Sequence, residues 1–213
     1  NIVYEPHIQF NQDALCGLLE KYTGNILQIP PMYSAVHHNG DRLYKLARQG
    51  IIVDREAREI RIQYIKLLAI NRDSEGRPVI SLEVSCSKGT YIRTLCHDIG
   101  RDLGTGAYLS ALNRIRAGVF TIEESYSLEQ IEQHKENLAE IIKAVDYPLN
   151  HLEEITIDIA QLGRILNGNR ISINESMQPG LIRIYDPQYW LVSIGECIIE
   201  ENVTVLKPLK VFK

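Results

Sequence analysis

Cys86-Ser87-Lys88-Gly89-Thr90-Tyr91-Ile92-Arg93-Thr94-Leu95 joins two stretches of different hydrophobic period. Residues 79–86 before it are apolar and β-prone and end in the Cys86 thiol, and a turn glycine, Gly89, follows. After it, Ile92, Leu95, Cys96, Ile99 and Leu103 recur at helical spacing and predict a buried stripe on a helix over about 91–103. Upstream, residues 58–70 predict a long strand in which Ile60, Ile62 and Tyr64 alternate with Glu59, Arg61 and Gln63. The alternation blurs over Ile65–Ile70, which predicts a bulge or burial on both faces. A turn from Asp73 to Pro78 then makes 58–70 and 79–86 an antiparallel pair, with a helix following. The fold class that results is α+β.

Working outward, Asn11 can cap a helix running to about Tyr22, with Leu15, Leu18, Leu19 and Tyr22 on one face and Gly24 as its stop. Residues 25–40 are expected as loop, with Pro30-Pro31 and the turn Asn39-Gly40, and a short helix is expected at 41–49. A third helix is expected at about 107–116, a short strand around Phe120 and Ile122, and helical connecting pieces at Ser127–His134 and Asn137–Lys143. Beyond Pro148 the texture changes. A helix at 158–167 and short strands at 181–185, 189–194, 196–200 and 203–206 predict a small, mostly β unit. The expected division is therefore 1–150 and 151–213.

The composition is that of an ordinary globular chain of 213 residues, 45% hydrophobic and 23% charged. No run of 18 or more apolar residues predicts a membrane span. Four cysteines, at 16, 86, 96 and 197, lack any CxxC pair, so free thiols in a reducing, cytoplasmic setting are expected. The net charge of -4 is unevenly spread. Residues 1–116 carry 15 Lys/Arg against 12 Asp/Glu, and residues 117–213 carry 8 against 15. A polyanion would meet the first half more readily.

Arg93 lies beside an apolar stripe, where a guanidinium either keeps its tip in water or clamps a carboxylate or phosphate bidentately. Tyr91 can be a core tyrosine, a hydrogen-bond donor to a reacting group, or a platform for a planar ligand. Ser87-Lys88-Gly89-Thr90 lacks the order of a nucleotide-binding loop. Cys86 has no histidine in its segment and is expected to be a packing residue rather than a nucleophile. Asp98 and Asp102, with Arg101 between them, are expected on a solvated helix side. Pro30-Pro31 stiffens the approach to Tyr33. The adjacent His37 and His38 point oppositely on an extended chain, so no metal site is expected. Arg42, Lys45 and Arg48 make a loose basic stripe, either solvated or in contact with phosphates.

Two runs together carry a family resemblance. Gln28-Ile29-Pro30-Pro31-Met32-Tyr33-Ser34-Ala35, followed by Gly40, Leu43-Tyr44, Ala47-Arg48 and Gly50, resembles the central block of the TruB-type tRNA pseudouridine synthases. The run at 86–93 is similar to the family's next hallmark, and Asp98-Ile99-Gly100, Leu103-Gly104 and Gly106-Ala107 follow in family order. The resemblance implies a pseudouridine-synthase catalytic domain with a mixed or antiparallel sheet and packed helices. It also implies a PUA-like RNA-binding module at the C-terminus.

The implied reaction converts a uridine in the T loop of tRNA to pseudouridine. The base is detached from C1′, rotated and rejoined through C5, after being flipped from its stack, and no cofactor or metal takes part. Arg93 is implied to hold the catalytic aspartate, and Tyr91 and Leu112 to line the base pocket. Tyr33, Lys88, Arg114, His37 and Arg42 are implied to lie near the substrate. The implied partner is the tRNA T stem-loop, with no membrane and no obligate protein partner.

Two local departures stand out. His37 takes a position where lysine is usual, and Asn113 precedes Arg114 where two arginines are common. A third concerns the family's Gly-Thr-Leu-Asp motif, which the 213 residues do not contain. The expectation from it is a chain lacking the N-terminal part with the catalytic aspartate. Such a chain would be inactive as it stands, the alternative being a non-catalytic RNA-binding or RNA-folding protein.

Overall fold

The computed structural model describes residues 11–212. The chain divides into two compact units, Asn1–Leu112 and Asn113–Lys213. In the first, helix α1 (Gln12–Lys21) begins at the expected cap, where the Asn11 side-chain oxygen accepts from the N–H groups of Asp13 and Ala14 at 2.9 and 3.2 Å. Then come strands β1 (Gly24–Gln28), β2 (His37–His38) and β3 (Asp41–Arg42), helix α2 (Leu43–Arg48), strands β4 (Arg58–Arg72) and β5 (Pro78–Cys86), and helix α3 (Ile92–Asp102). β4 is the centre of an antiparallel sheet in the order β1-β4-β5. Its register with β5 shifts at Leu67/Ala69, inside the stretch where the alternation blurs, and also at Ile62/Tyr64, where the alternation reads as regular.

Leu15 and Leu19 of α1, Ile60 and Ile62 of β4, and Leu95 and Ile99 of α3 form the core of this unit. Each such side chain contributes about 1.5–3 kcal/mol on burial. Cys86 and Ile92 pack against the same core, so the connection between β5 and α3 is anchored at both ends. Cys86 is thus a packing thiol, as its sequence context predicts.

The sheet also corrects two expectations. Residues 24–28 are a strand rather than loop, because they pair with β4 from Gly24↔Ile62 to Gln28↔Arg58. No helix forms over 107–116, where the chain is irregular up to the two-residue strand that starts at Arg116. Gly100 explains part of this. A Cβ at Gly100 would lie closer than 3.0 Å to the backbone of Gly106 and Ala107, and the Gly100 carbonyl accepts from the N–H groups of Thr105 and Gly106 at 3.0 and 2.9 Å. The 104–107 turn is seated directly on α3. Gly100→Ala is therefore expected to lower stability by about 1–3 kcal/mol through overpacking, although alanine is the better helix former. A fall in the urea midpoint at unchanged slope would show it, and a rise would contradict the close seating.

The Tyr22 hydroxyl donates to Asp102 at 2.9 Å, and Arg101 pairs with Asp102 and Asp98 at 3.1 and 3.0 Å. Burial first, and then the Asp102 carboxylate, push the Tyr22 phenol up to about 12. A folded pKa above the ordinary 10.0 means the contribution is whole below pH 10.0 and is lost as pH rises to about 12. Tyr22→Phe is expected to flatten the fall in stability across that window, as read by urea midpoints against pH. An equally steep fall in the variant would refute the assignment.

The second unit opens with a hairpin of β6 (Arg116–Ala117) and β7 (Phe120–Thr121). Helix α4 (Leu128–Gln133) follows, capped by Ser127 and Gln130 in a reciprocal capping box. The expected helix at 137–143 is reduced to one 3-10 turn at Leu138–Glu140. Strand β8 (Glu153–Thr156), helix α5 (Ile159–Leu166), and strands β9 (Ile171–Ile173), β10 (Gly180–Tyr185), β11 (Leu191–Glu200) and β12 (Val203–Val211) complete the unit. The five strands run β8-β10-β11-β12-β9, with only β8–β10 parallel. The sheet curls into a half-barrel whose core holds Ile155, Ile165, Ile182, Ile184, Cys197 and Leu206. This is the small PUA-like β module that the resemblance implies, on an α+β chain.

Candidate active site

The connection from β5 to α3 is tied down by pairs of reciprocal hydrogen bonds. At its start the Ser87 N–H donates to the Arg61 carbonyl at 2.8 Å, and the Arg61 N–H donates to Ser87 Oγ at 3.0 Å. At its end the Gln28 side chain holds both polar groups of the Tyr91 backbone. The Tyr91 N–H donates to Gln28 Oε1 at 2.8 Å, and Gln28 Nε2 donates to the Tyr91 carbonyl at 3.2 Å. Between them Gly89 has φ +83, a conformation that favours glycine, and Lys88 stands exposed on the turn.

Tyr91 is the N-cap of α3 with φ -98 and ψ 100, and no side chain caps the helix. The first turn of α3 holds no acidic residue. It holds Arg93 instead, exposed and without an ion pair among the described residues. A helix start presents free N–H groups and the positive end of its dipole, so a cation there is locally unfavourable. An arginine that breaks this rule beside uncapped N–H groups suits an anionic group brought to it. Asp98 and Asp102 on the same helix are taken up by Arg101, as their spacing predicts.

A second group of candidate residues lies on the segment before α2. His37 stands directly across from Arg42 in the β2–β3 ribbon, and both are exposed. The ribbon turns at Asn39 and Gly40, with φ 49 and 91, the residue pair that tight hairpins prefer. Tyr33 is exposed just upstream. The Arg55 guanidinium donates to the Pro30 carbonyl at 3.1 Å and fixes the Pro-Pro approach. Leu112 is exposed at the end of the first unit, and Arg114, also exposed, is the second residue of the other. Within the first unit Lys88, Tyr91 and Arg93 share one connection, and His37 and Arg42 share one ribbon. Gln28 and Arg55 are the polar residues that sequence reasoning passed over. Gln28 had one signal in the sequence, its place at the head of the Gln28-Ile29-Pro30-Pro31 run, and the structure leaves it only 3% exposed.

The matches to family models follow the same two runs. The N-terminal domain of the TruB family pseudouridylate synthases matches residues 1–92, and the C-terminal domain of tRNA pseudouridylate synthase B matches residues 93–150. This chain belongs to the TruB family. It is 50% identical over 196 residues to tRNA pseudouridine synthase B of Syntrophomonas wolfei, covering 92% of this chain and 65% of that protein. It is 40% identical over 198 residues to the Clostridium perfringens protein of the same name, covering 90% and 65%. The chain thus spans a little under two thirds of the relatives it matches. Its fold is similar to a chain in the crystal structure of a Cbf5-Nop10-Gar1 complex, with TM-score 0.67 and 25% identity, covering 97% of this chain and 64% of that one.

These matches overturn one expectation. The N-terminal domain model is matched from residue 1, and the C-terminal domain model continues from residue 93, so both family domains are represented. The reading of a chain that lacks the N-terminal catalytic part, and is therefore inactive or merely RNA-binding, does not stand. It rested on a single short motif, whereas a domain match weighs the pattern along the whole segment.

Proposed function

We propose that this chain is a pseudouridine synthase that isomerises a uridine in the T loop of tRNA. The observation that carries the reading is the 50% identity to a tRNA pseudouridine synthase B across the segment containing Gln28, Tyr91 and Arg93. The geometry supports it, because a rigid connection presents an unpaired arginine at an acid-free helix start, where a catalytic carboxylate can be held ionised and oriented.

In this reading Arg93 holds that carboxylate, Tyr91 borders the flipped base, and Leu112 packs against it. Tyr33, Lys88, Arg114, His37 and Arg42 meet the RNA, with the cations neutralising phosphates. The module at 151–213 is read as a second RNA-contacting surface, and 1–150 as the catalytic part. The chemistry exchanges a glycosidic bond from nitrogen to carbon and calls on no cofactor or metal. No helix among the described residues is long and apolar enough to cross a membrane. A cytoplasmic setting belongs to the proposal through its tRNA substrate.

The test is direct. Purified chain is incubated with a tRNA transcript, and pseudouridine is mapped by carbodiimide labelling and primer extension. A stop at the T-loop uridine is expected, and it should vanish when that uridine is replaced by cytidine. An unmodified transcript after prolonged incubation would overturn the proposal.

A further inference from the structure

Gln28 and Tyr91 are 63 residues apart, yet one amide side chain satisfies both backbone groups of the residue that opens α3. Gln28 ends β1, opposite Arg58 on the central strand, so its backbone belongs to the sheet. Its side chain is almost wholly enclosed, and it gives one N–H and one acceptor position to Tyr91. An enclosed amide costs free energy unless paired, and here both its oxygen and its nitrogen are paired with Tyr91. The other end of the connection is fixed to the sheet at Ser87 and Arg61. On its own helix the Tyr91 carbonyl accepts from the Leu95 N–H at 3.0 Å, but no side chain of that helix caps it, so among the described residues the Tyr91 N–H is held from the sheet by Gln28 alone.

We propose that Gln28 is a positioning residue, whose amide fixes the Tyr91 backbone and with it the start of the helix that presents Arg93. This rests on the pseudouridine-synthase reading of the site. Gln28 touches neither base nor carboxylate and acts through Tyr91 and Arg93. A shift of the order of 1 Å at a reacting group costs about 10²-fold in rate, so holding this connection is worth a dedicated buried amide.

Two variants test it. Gln28→Met keeps the volume and removes both hydrogen bonds. In Gln28→Glu the side chain matches the amide only when protonated, since the neutral carboxyl can donate to the Tyr91 carbonyl and accept from its N–H. Ionised, it accepts only and faces the Tyr91 carbonyl. Burial raises the pKa of such a carboxyl, so the neutral form is reached under mildly acidic conditions.

Turnover is measured from pH 5 to pH 9, referred to tRNA-binding-competent protein and divided by wild type at each pH. Gln28→Met is expected to lose about tenfold or more at every pH. Gln28→Glu is expected to lose as much at high pH and to recover as pH falls. A general loss of folding would leave both ratios flat, because only competent protein is counted. A flat ratio for Gln28→Glu, or wild-type turnover in Gln28→Met, overturns the proposal. If Gln28→Met does not fold, the pH course of Gln28→Glu alone decides.

The wild-type control separates the two levels, since absence of pseudouridine there is a failure of the functional reading. The clamp is then judged by hydrogen exchange at the Tyr91 amide. Protection should drop at least tenfold in Gln28→Met, which has no acceptor for the Tyr91 N–H, and unchanged protection would sink it.

Discussion

Arg93→Ala is expected to lower conversion of uridine to pseudouridine in a tRNA transcript by about 10²–10³-fold, the range seen when one group that stabilises reaction charge is removed. The folded protein should barely change. Arg93 is exposed and makes no ion pair among the described residues, and surface substitutions of that kind stay within about 0.5 kcal/mol. Affinity for tRNA should also hold within a few-fold, because several other exposed cations, Lys88 and Arg42 among them, are read as phosphate contacts. The loss then falls on the chemical step.

Arg93→Lys separates charge from geometry. A lysine keeps the positive charge but lacks the planar fork that grips a carboxylate bidentately. Partial activity is expected, above Arg93→Ala and well below wild type. Single-turnover kinetics at saturating enzyme measure all three. Turnover near wild type in Arg93→Ala would remove the arginine from the reaction and leave it as an RNA-facing cation.

The parts of this fold that were legible in the sequence are those set by local chemistry. Asn11 announced α1, the alternation Ile60-Ile62-Tyr64 announced β4, and the stripe through Leu95 and Ile99 announced α3. What was missed depends on distant partners. β1 read as loop because Gly24 and Pro30-Pro31 bound a piece of only five residues, and its pairing with β4 supplies what its own sequence lacks. Residues 107–116 carry helical spacing, but the preceding turn is held against Gly100.

β11 read as two strands because Gly195 resembles a break. It is a bulge in one continuous strand, where any Cβ would meet the Ile184 side chain at 2.9 Å and the Lys207 carbonyl at 3.0 Å. The site divides the same way. Tyr91 and Arg93 stand out in a short polar run, whereas Gln28 gains its meaning only from a residue 63 positions away.

The second unit contains an equally hidden polar group, and it leads to the largest expected loss of stability. Arg183 sits mid-strand in β10, between Ile182 and Ile184, and is 8% exposed. Its guanidinium reaches Glu154 at 2.8 Å and Asp146 at 3.5 Å, and it donates to the Tyr185 hydroxyl at 2.9 Å and to the Leu152 carbonyl at 3.1 and 3.3 Å. The Tyr185 hydroxyl donates in turn to Asp146, and its ring stacks on Tyr189 at 4.5 Å. One cation thus fastens the 146–154 segment to the centre of the curled sheet.

Removing one member of a buried ion pair costs about 3–5 kcal/mol, because the partner charges stay behind unpaired. Arg183→Met keeps much of the bulk but takes the cation from Asp146 and the donors from the Leu152 carbonyl, whereas Glu154 is exposed and keeps the Tyr189 hydroxyl. It is expected to destabilise the unit by about that amount, seen as a fall in urea midpoint. Adding Asp146→Leu removes one stranded carboxylate and should recover part of the loss, since replacing both partners by apolar groups is often close to neutral. Recovery in the double variant identifies the uncompensated charge as the cause. A double variant weaker than the sum of the two single losses would instead mean that packing around Tyr185, not charge, sets the cost.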